Sequence, residues 1–188
     1  MFACKFSRTI RTAAITAVFI ALPVLAATLK ADPAKSSITA TFKQLNVPVD
    51  AKFRKFDAQI VYDAAKPGAS KANVDIDVAS FDLGDPDYNK EVLKKEWFNA
   101  AQFPKATFIS SQIKPGANGK LDVTGKLTIK GKTADVSFPM NVKKDGNVQV
   151  FEGALPIKRL TYNIGEGEWK DTSMVADEVT IRFHVVAQ

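Results

Sequence analysis

Apolar and polar residues alternate along most of this chain, which is the pattern of β-strands that bury one face. The clearest stretch is 121–129, where the odd positions are apolar or glycine and the even positions are polar. The stretch 134–142 resumes the same period after a short connector at Gly131 and Lys132. Two segments of period two joined by so short a connector predict a β-hairpin.

Further strands are predicted wherever the alternation recurs. They cover 37–45, 73–81, 106–113, 148–157 and 178–186. In the long segment 49–63, Phe53 and Phe56 lie three residues apart and cannot share one face of a regular strand. We predict a β-bulge between them, which would turn both rings to the same side.

One segment, 85–98, has helical spacing through Tyr88, Val92 and Trp97. Asp85 is a suitable N-cap, and Pro86 follows it at the first helical position. These features predict one short helix inserted between strands. The chain is therefore predicted to be all-β, an antiparallel eight-stranded barrel whose closure removes exposed sheet edges.

The N-terminal residues 1–26 have the three parts of a cleavable export signal. A basic start is followed by the apolar run 13–24 and then by small residues, with cleavage expected after Ala26 or Ala27. The apolar run is shorter than the ~20 residues that span a bilayer, so a permanent anchor is the weaker interpretation. The sequence predicts one domain over 27–188, located in a bacterial periplasm.

Charge and composition argue against several kinds of site. The net charge of +6 comes from scattered basic residues, which gives little support for nucleic-acid binding. His184 is the only histidine, and Cys4 lies in the predicted signal, so a zinc site is not expected. Alternation puts His184 on an outer face, and the acidic residues near Trp169 have no evident pocket. We predict no catalytic residues, no metal, no cofactor and no enzymatic activity.

The interior of the predicted barrel could be filled or partly empty. Most of the thirteen phenylalanines lie beyond residue 26, and for any one ring core packing is the simpler explanation. However, an eight-stranded barrel is just wide enough to hold one slender ligand. Several predicted interior residues are small, namely Ala40, Ala51, Gly125 and Ala134. A dry lumen that accepts an apolar chain is therefore the second alternative.

If the lumen binds a ligand, inward-facing apolar side chains should line it, with Trp97 near its mouth. The predicted ligand-binding residues are Phe42, Phe53, Phe56, Ile76, Val78, Trp97, Phe108, Leu127, Phe138, Ile181 and Phe183.

The sequence resembles the YceI-like family in ordered blocks that cover nearly all of 27–188. The blocks are DPAKS (32–36), FRKFD (53–57), DVASFDLG (77–84), WFN (97–99), FPKATFIS (103–110) and VTGKLTIKGKT (123–133). The resemblance implies an exported, lipocalin-like β-barrel domain over 27–188 that binds lipid. Its lumen would hold a polyisoprenoid, such as an isoprenoid quinone, or another long-chain amphiphile, as a binding or carrier protein.

The chain departs from the commonest family pattern at Lys35 and Gln44, where many members carry histidine. Its Asn89, Glu91 and the stretch IGEGEWKD (164–171) resemble a subgroup associated with cytochrome b561-type membrane proteins. This implies a second hypothesis, an accessory partner of such a cytochrome that uses its outer surface. The oligomeric state is open, a homodimer being one option.

Overall fold

A computed structural model describes residues 28–188, and the predicted signal at 1–26 lies outside the described residues. Within this range the chain forms one sheet of eleven antiparallel strands and a single short α-helix, α1, at Pro86–Glu91. The strands are β1 (Thr28–Lys30), β2 (Ser37–Gln44), β3 (Val47–Phe53), β4 (Phe56–Val61), β5 (Lys71–Asp77), β6 (Phe81–Asp82), β7 (Lys105–Pro115), β8 (Leu121–Ile129), β9 (Lys132–Asp145), β10 (Val148–Lys158) and β11 (Val175–Ala187).

The order of the strands makes the sheet curl into a barrel-like wall. Neighbours follow the order β1-β4-β5-β7-β8-β9-β10-β11-β2-β3-β6. Arg54 and Lys55 join β3, near one end of this order, to β4, near the other end. Beyond β1, Ala31 also forms a bridge with Ala187 at the end of β11. The two ends of the sheet are thus held close together.

The predicted all-β antiparallel class is confirmed, but the predicted count of eight strands is wrong. The predicted closure is not formed by these strands either, because β1 and β6, at the ends of the strand order, do not pair with each other. Two of the additional strands, β1 and β6, have three and two residues. Strands this short cannot display a recognisable alternation. Another additional strand arises because the segment predicted as one strand over 49–63 is divided into β3 and β4.

The apolar interior consists of two clusters of buried residues. The smaller cluster comprises Ile38, Ala40, Ala51, Phe53, Phe81 and Val92. The larger cluster is built mainly from β4 and from β7 to β11, and includes Val123, Leu127, Phe138 and Phe151. No helix within 28–188 is both long and apolar enough to cross a membrane.

The β-bulge predicted between Phe53 and Phe56 is wrong, because the strand breaks there instead. The amide of Arg54 donates to the carbonyl of Ser80, and the carbonyl of Lys55 accepts from the amide of Asp77. β3 then pairs with β2 and β6, whereas β4 pairs with β1 and β5. Both rings nevertheless pack with the smaller cluster, which is the outcome that the bulge was expected to produce.

The predicted hairpin is confirmed as β8 and β9, with its turn one residue earlier than expected. Ile129 pairs with Lys132, so the turn residues are Lys130 and Gly131, with φ of +48° and +71°. Positive φ at both central residues suits the twist of a two-residue hairpin.

The predicted helix over 85–98 is too long, since α1 ends at Glu91. Asp85 caps it as predicted, its carboxylate accepting from the amides of Asp87 and Tyr88. A regular helix would place Val92 and Phe98 about 120° apart around its axis. The chain instead forms turns after Glu91, and both side chains pack in the smaller cluster.

Candidate functional site

A mainly apolar cavity of about 300 Å³ lies where the two clusters meet. Phe53, Phe81 and Val92 of the smaller cluster form part of its wall, and Ile129 and Ile164 of the larger cluster form another part. Exposed Gln44 and Tyr88 also line it, which marks the mouth. The mouth therefore lies between the β2–β3 hairpin and α1.

A second cavity, of about 100 Å³, is lined only by apolar side chains. Its wall includes Ile60, Val123 and Phe151. Ile181 on β11 lines both cavities, so the two cavities are adjacent.

A row of three phenylalanines packs in the interior and lines the smaller cavity. The ring of Phe138 lies 5.5 Å from the rings of Phe108 and Phe183, centroid to centroid. Phe108 lies over Gly125, and Phe183 lies over Gly153, at positions where a Cβ atom would collide with the rings. Both alternatives for the interior are thus partly realised, because the rings fill one part and leave two apolar spaces.

The structure places nine of the eleven predicted ligand-binding residues in the cavity walls. Those in the larger cavity are Phe42, Phe53, Trp97 and Ile181, and those in the smaller cavity are Ile76, Phe108, Leu127, Phe138, Phe183 and again Ile181. Phe56 and Val78 line neither cavity. Val78 is buried in a 3-10 turn, Val78–Ser80, rather than in a strand, and Phe56 packs beside the smaller cluster. Contact of any of them with a ligand stays a prediction.

The segment that follows β6 is fixed at the mouth by aromatic packing and by one amide side chain. Phe98 packs edge-on against Phe81 and Phe53, at 5.2 and 6.4 Å between centroids. The Asn89 side chain accepts from the amide of Leu83 and donates to Asp82. α1 is therefore tied directly to β6, although it has only six residues.

Asp82 carries the charge of this connection. It accepts hydrogen bonds from Asn89 and from the amide of Gly84, and it forms an ion pair with Arg54. These hydrogen bonds, led by that of Asn89, lower the pKa of Asp82 to about 2. Asp82 therefore remains a carboxylate across the physiological range.

Arg159 is the residue that sequence analysis missed. It lines the larger cavity, yet its side chain is almost fully buried, with 2% exposed. Its guanidinium donates to five backbone carbonyls, those of Ile164, Gly165, Trp169, Val175 and Ala176. It thereby holds the 164–169 loop against the start of β11. Lys158 and Arg159 form an isolated basic pair at the end of a strand, a position that is usually exposed, so no sequence signal marked Arg159 as buried.

Two tryptophans lie beside Arg159 and close one side of the cavity. The rings of Trp97 and Trp169 are 5.2 Å apart, and the Arg159 guanidinium carbon lies 5.9 Å from the centre of the Trp97 ring. Burial lowers the pKa of Arg159 from its ordinary value. Trp97 lines the larger cavity, and its predicted place near the mouth stays a prediction.

Two groups that were considered as possible chemistry, Glu166 and His184, have structural partners. Glu166 pairs at 2.9 Å with Lys130, whose side chain is 6% exposed, and this hydrogen bond lowers the pKa of Glu166. His184 lies on the outer side of β11, 2.9 Å from Glu152. Within residues 28–188, no three histidine, cysteine or acidic side chains are grouped as metal ligands would be.

Comparison with solved structures reveals a close match to Burkholderia cenocepacia BcnA. The two chains are 54% identical, the match covers 84% of this chain and 99% of that one, and the TM-score is 0.82. A polyisoprenoid-binding domain from Saccharophagus degradans has the same fold at 19% identity, with a TM-score of 0.68 over 88% of this chain and 99% of that one.

Among curated proteins, Protein YceI of Salmonella arizonae is 35% identical over 95 residues, which are 50% of this chain. The matched stretch spans about half the length of that relative, 49%. The resemblance found in the sequence blocks extends further, because residues 29–187 match the YceI-like domain as a whole. With its curled antiparallel sheet and its two apolar cavities, this chain belongs to the YceI-like family.

Proposed function

We propose that this protein binds and carries a polyisoprenoid or a similar long-chain amphiphilic lipid, without catalysis, in the bacterial periplasm. The observation that carries the proposal is the pair of adjacent apolar cavities, about 300 and 100 Å³, with Ile181 in the wall of both. Ligand sites in proteins are typically concave, apolar and largely preformed. The polyisoprenoid-binding domain of Saccharophagus degradans, which shares the fold, supports the same ligand class.

The apolar lining favours a ligand with a long tail over a small polar one. Each buried methylene stabilises a complex by about 0.8 kcal/mol, so ten carbons supply about 8 kcal/mol. Association itself costs roughly 4–15 kcal/mol. A hydrocarbon tail of at least this length is therefore needed before binding in such a cavity becomes tight.

The periplasmic location rests on residues 1–26, which have the composition of an export signal. Mass spectrometry of the protein recovered from the periplasmic fraction tests this directly. A mature N-terminus at Ala27 or Thr28 is expected, and retention of the intact chain in the cytoplasm would contradict it.

The ligand is tested by native mass spectrometry of the protein purified without detergent from its own host. We expect one lipid mass per chain, removable by organic extraction. After extraction, titration with a polyprenyl lipid should change the fluorescence of Trp97 and Trp169, the only tryptophans in the chain. Both line the larger cavity, so their emission should report an entering tail.

A protein that carries no lipid and shows no change in emission on titration would refute the carrier proposal. That result would favour the alternative role, an accessory partner of a cytochrome b561-type membrane protein. That alternative rests on the stretch 164–171. Two of its residues, Ile164 and Trp169, lie in the wall of the larger cavity. Co-purification of a membrane cytochrome with the lipid-free protein would support the alternative.

A further inference from the structure

Exposed apolar residues are concentrated at the mouth of the larger cavity. Among residues 28–188, five large apolar side chains are exposed, namely Leu45, Val47, Tyr88, Ile109 and Met174. Tyr88 lines the mouth itself. Leu45 and Val47 flank the tip of the β2–β3 hairpin beside Gln44, which also lines the cavity, and the amide of Leu45 donates to the carbonyl of Met174. We call Leu45, Val47, Tyr88 and Met174 the apolar rim.

The conformation of Leu45 is unusual for an apolar residue. Gln44 pairs with Val47, so Leu45 and Asn46 form a two-residue turn with φ of +49° and +64°. Such turns favour asparagine, aspartate or glycine, and a leucine in this region costs roughly 1–2 kcal/mol. The Leu45 side chain is 60% exposed, so burial within the chain does not offset this cost.

Val47 and Gln44 continue the inward-facing side of their strands beyond the point where the wall encloses them. Phe42 and Val49, two residues further in on the same faces, line the cavity. The apolar lining of the cavity is thus continuous with the exposed rim, without an intervening ring of charge on these two strands. A surface of this kind suits contact with hydrocarbon rather than with water.

We infer that the apolar rim inserts shallowly into a lipid bilayer and places the cavity mouth against the membrane, where a lipid tail can pass between the two. This inference rests on the proposed lipid-binding function. Charged residues of both signs lie near the rim, with Lys43 beside Gln44 and Asp87 beside Tyr88. The contact is therefore driven by apolar burial, and it should depend only weakly on salt.

The test compares variants for binding to vesicles of phosphatidylethanolamine and phosphatidylglycerol by co-sedimentation. The double variant L45D/V47D places two charges on the rim, and aspartate tolerates the φ of Leu45 better than leucine does. The matched control is I109D, because Ile109 is 58% exposed on β7 and lines neither cavity. All variants are exported proteins whose N-termini are verified, since residues 13–24 would bind vesicles if retained.

We expect wild type and I109D to bind vesicles with equal affinity at low and at high salt. The affinity of L45D/V47D for vesicles should be lower by about tenfold or more. Circular dichroism and the melting temperature check that the variant folds. Equal vesicle binding by L45D/V47D, or no binding by wild type, would overturn the inference. A wild-type dimer that L45D/V47D abolishes, without vesicle binding, would assign the rim to a second copy of the chain instead.

A second readout separates this inference from the carrier proposal. Lipid supplied in ethanol solution should change the emission of Trp97 and Trp169 in L45D/V47D as in wild type. Extraction of lipid from vesicles should be slowed only in L45D/V47D. If extraction is equally fast in all three proteins, the rim inference fails and the carrier proposal stands. If no lipid enters wild type by either route, the carrier proposal fails.

Discussion

At the scale of single residues, glycine decides how close the aromatic row can approach the sheet. A Cβ atom on Gly153 would lie 2.5 Å from the Phe183 ring and 3.0 Å from the carbonyl oxygen of Pro139. The Phe183 ring therefore rests on bare backbone. This contact could not be predicted from sequence, because alternation predicts which face a residue occupies but not which ring lies across it.

We expect Gly153→Ala to lower the free energy of unfolding by roughly 1–3 kcal/mol, as overpacking of a core does. Urea denaturation followed by circular dichroism measures it. Gly68→Ala is the matched control, because nothing lies within 4 Å of a Cβ atom built there. Equal stability of the two variants would mean that Phe183 moves aside at little cost.

Ile181 and Arg159 show which buried residues can be predicted from sequence and which cannot. Ile181 follows the alternation of β11, and its inward position was predicted correctly. Arg159 is buried because five carbonyls satisfy its donors, and those carbonyls come from two segments that the fold brings together. Hydrogen bonds between distant segments leave no periodic trace in sequence.

At the scale of elements, long alternating strands were predictable and irregular ones were not. β8, β9, β10 and β11 each have at least nine residues, and their predicted positions are correct to within a few residues. Apart from β1 and β6, which are too short to show a period, the main errors fall where tertiary packing overrides a local period. These are the break after Phe53 and the turns after Glu91, and both bring aromatic rings into the smaller cluster.

The connection between α1 and β6 should depend on the charge of Asp82. Its pKa is lowered to about 2 in the folded protein, mainly by the hydrogen bond from Asn89, against about 3.9 in an unfolded chain. A lowered pKa contributes stability that is present above the unfolded value and is lost as pH falls through the folded value. We therefore expect the melting temperature of wild type to be higher than that of Asp82→Asn at pH 7. The difference between the two melting temperatures should shrink between about pH 5 and pH 2.

Thermal unfolding across this pH range measures the difference. Asp87→Asn is the control, since the Asp87 side chain is 91% exposed and pairs only with Lys90 of the same helix. Its melting temperature should remain close to that of wild type at each pH. A difference for Asp82→Asn that persists unchanged at pH 2 would show that the charge does not hold the segment.

At the scale of the whole molecule, the interior is divided by its own side chains into a larger space that opens at the mouth and a smaller space adjacent to it. The ten phenylalanines beyond residue 26 and several small interior residues indicated that the interior could be either filled or partly empty, but not which of the two occurs. The outcome depends on which rings face each other across the wall, as Phe108, Phe138 and Phe183 do. That arrangement is fixed only when all the strands have paired.

The two spaces can be filled separately, which makes the length of the bound tail measurable. Ala40 lines only the larger cavity and Ala72 only the smaller one. In Ala40→Leu the added carbons should displace about two methylenes of the ligand from the larger cavity. The lost burial lowers the binding free energy by about 1.6 kcal/mol, so the affinity for every tail should fall about tenfold. Ala72→Leu should weaken binding of a long polyprenyl tail but not of a ten-carbon tail that ends in the larger cavity.

Titrations followed by tryptophan emission, with melting temperatures to confirm folding, give both affinities. Filling an apolar cavity should leave the stability of either variant unchanged or raised. Equal affinity of Ala72→Leu and wild type for long and short tails would mean that the tail stops at Ile181. Equal affinity of Ala40→Leu and wild type for lipid would mean that the tail does not enter the larger cavity at all. That result would refute the carrier proposal.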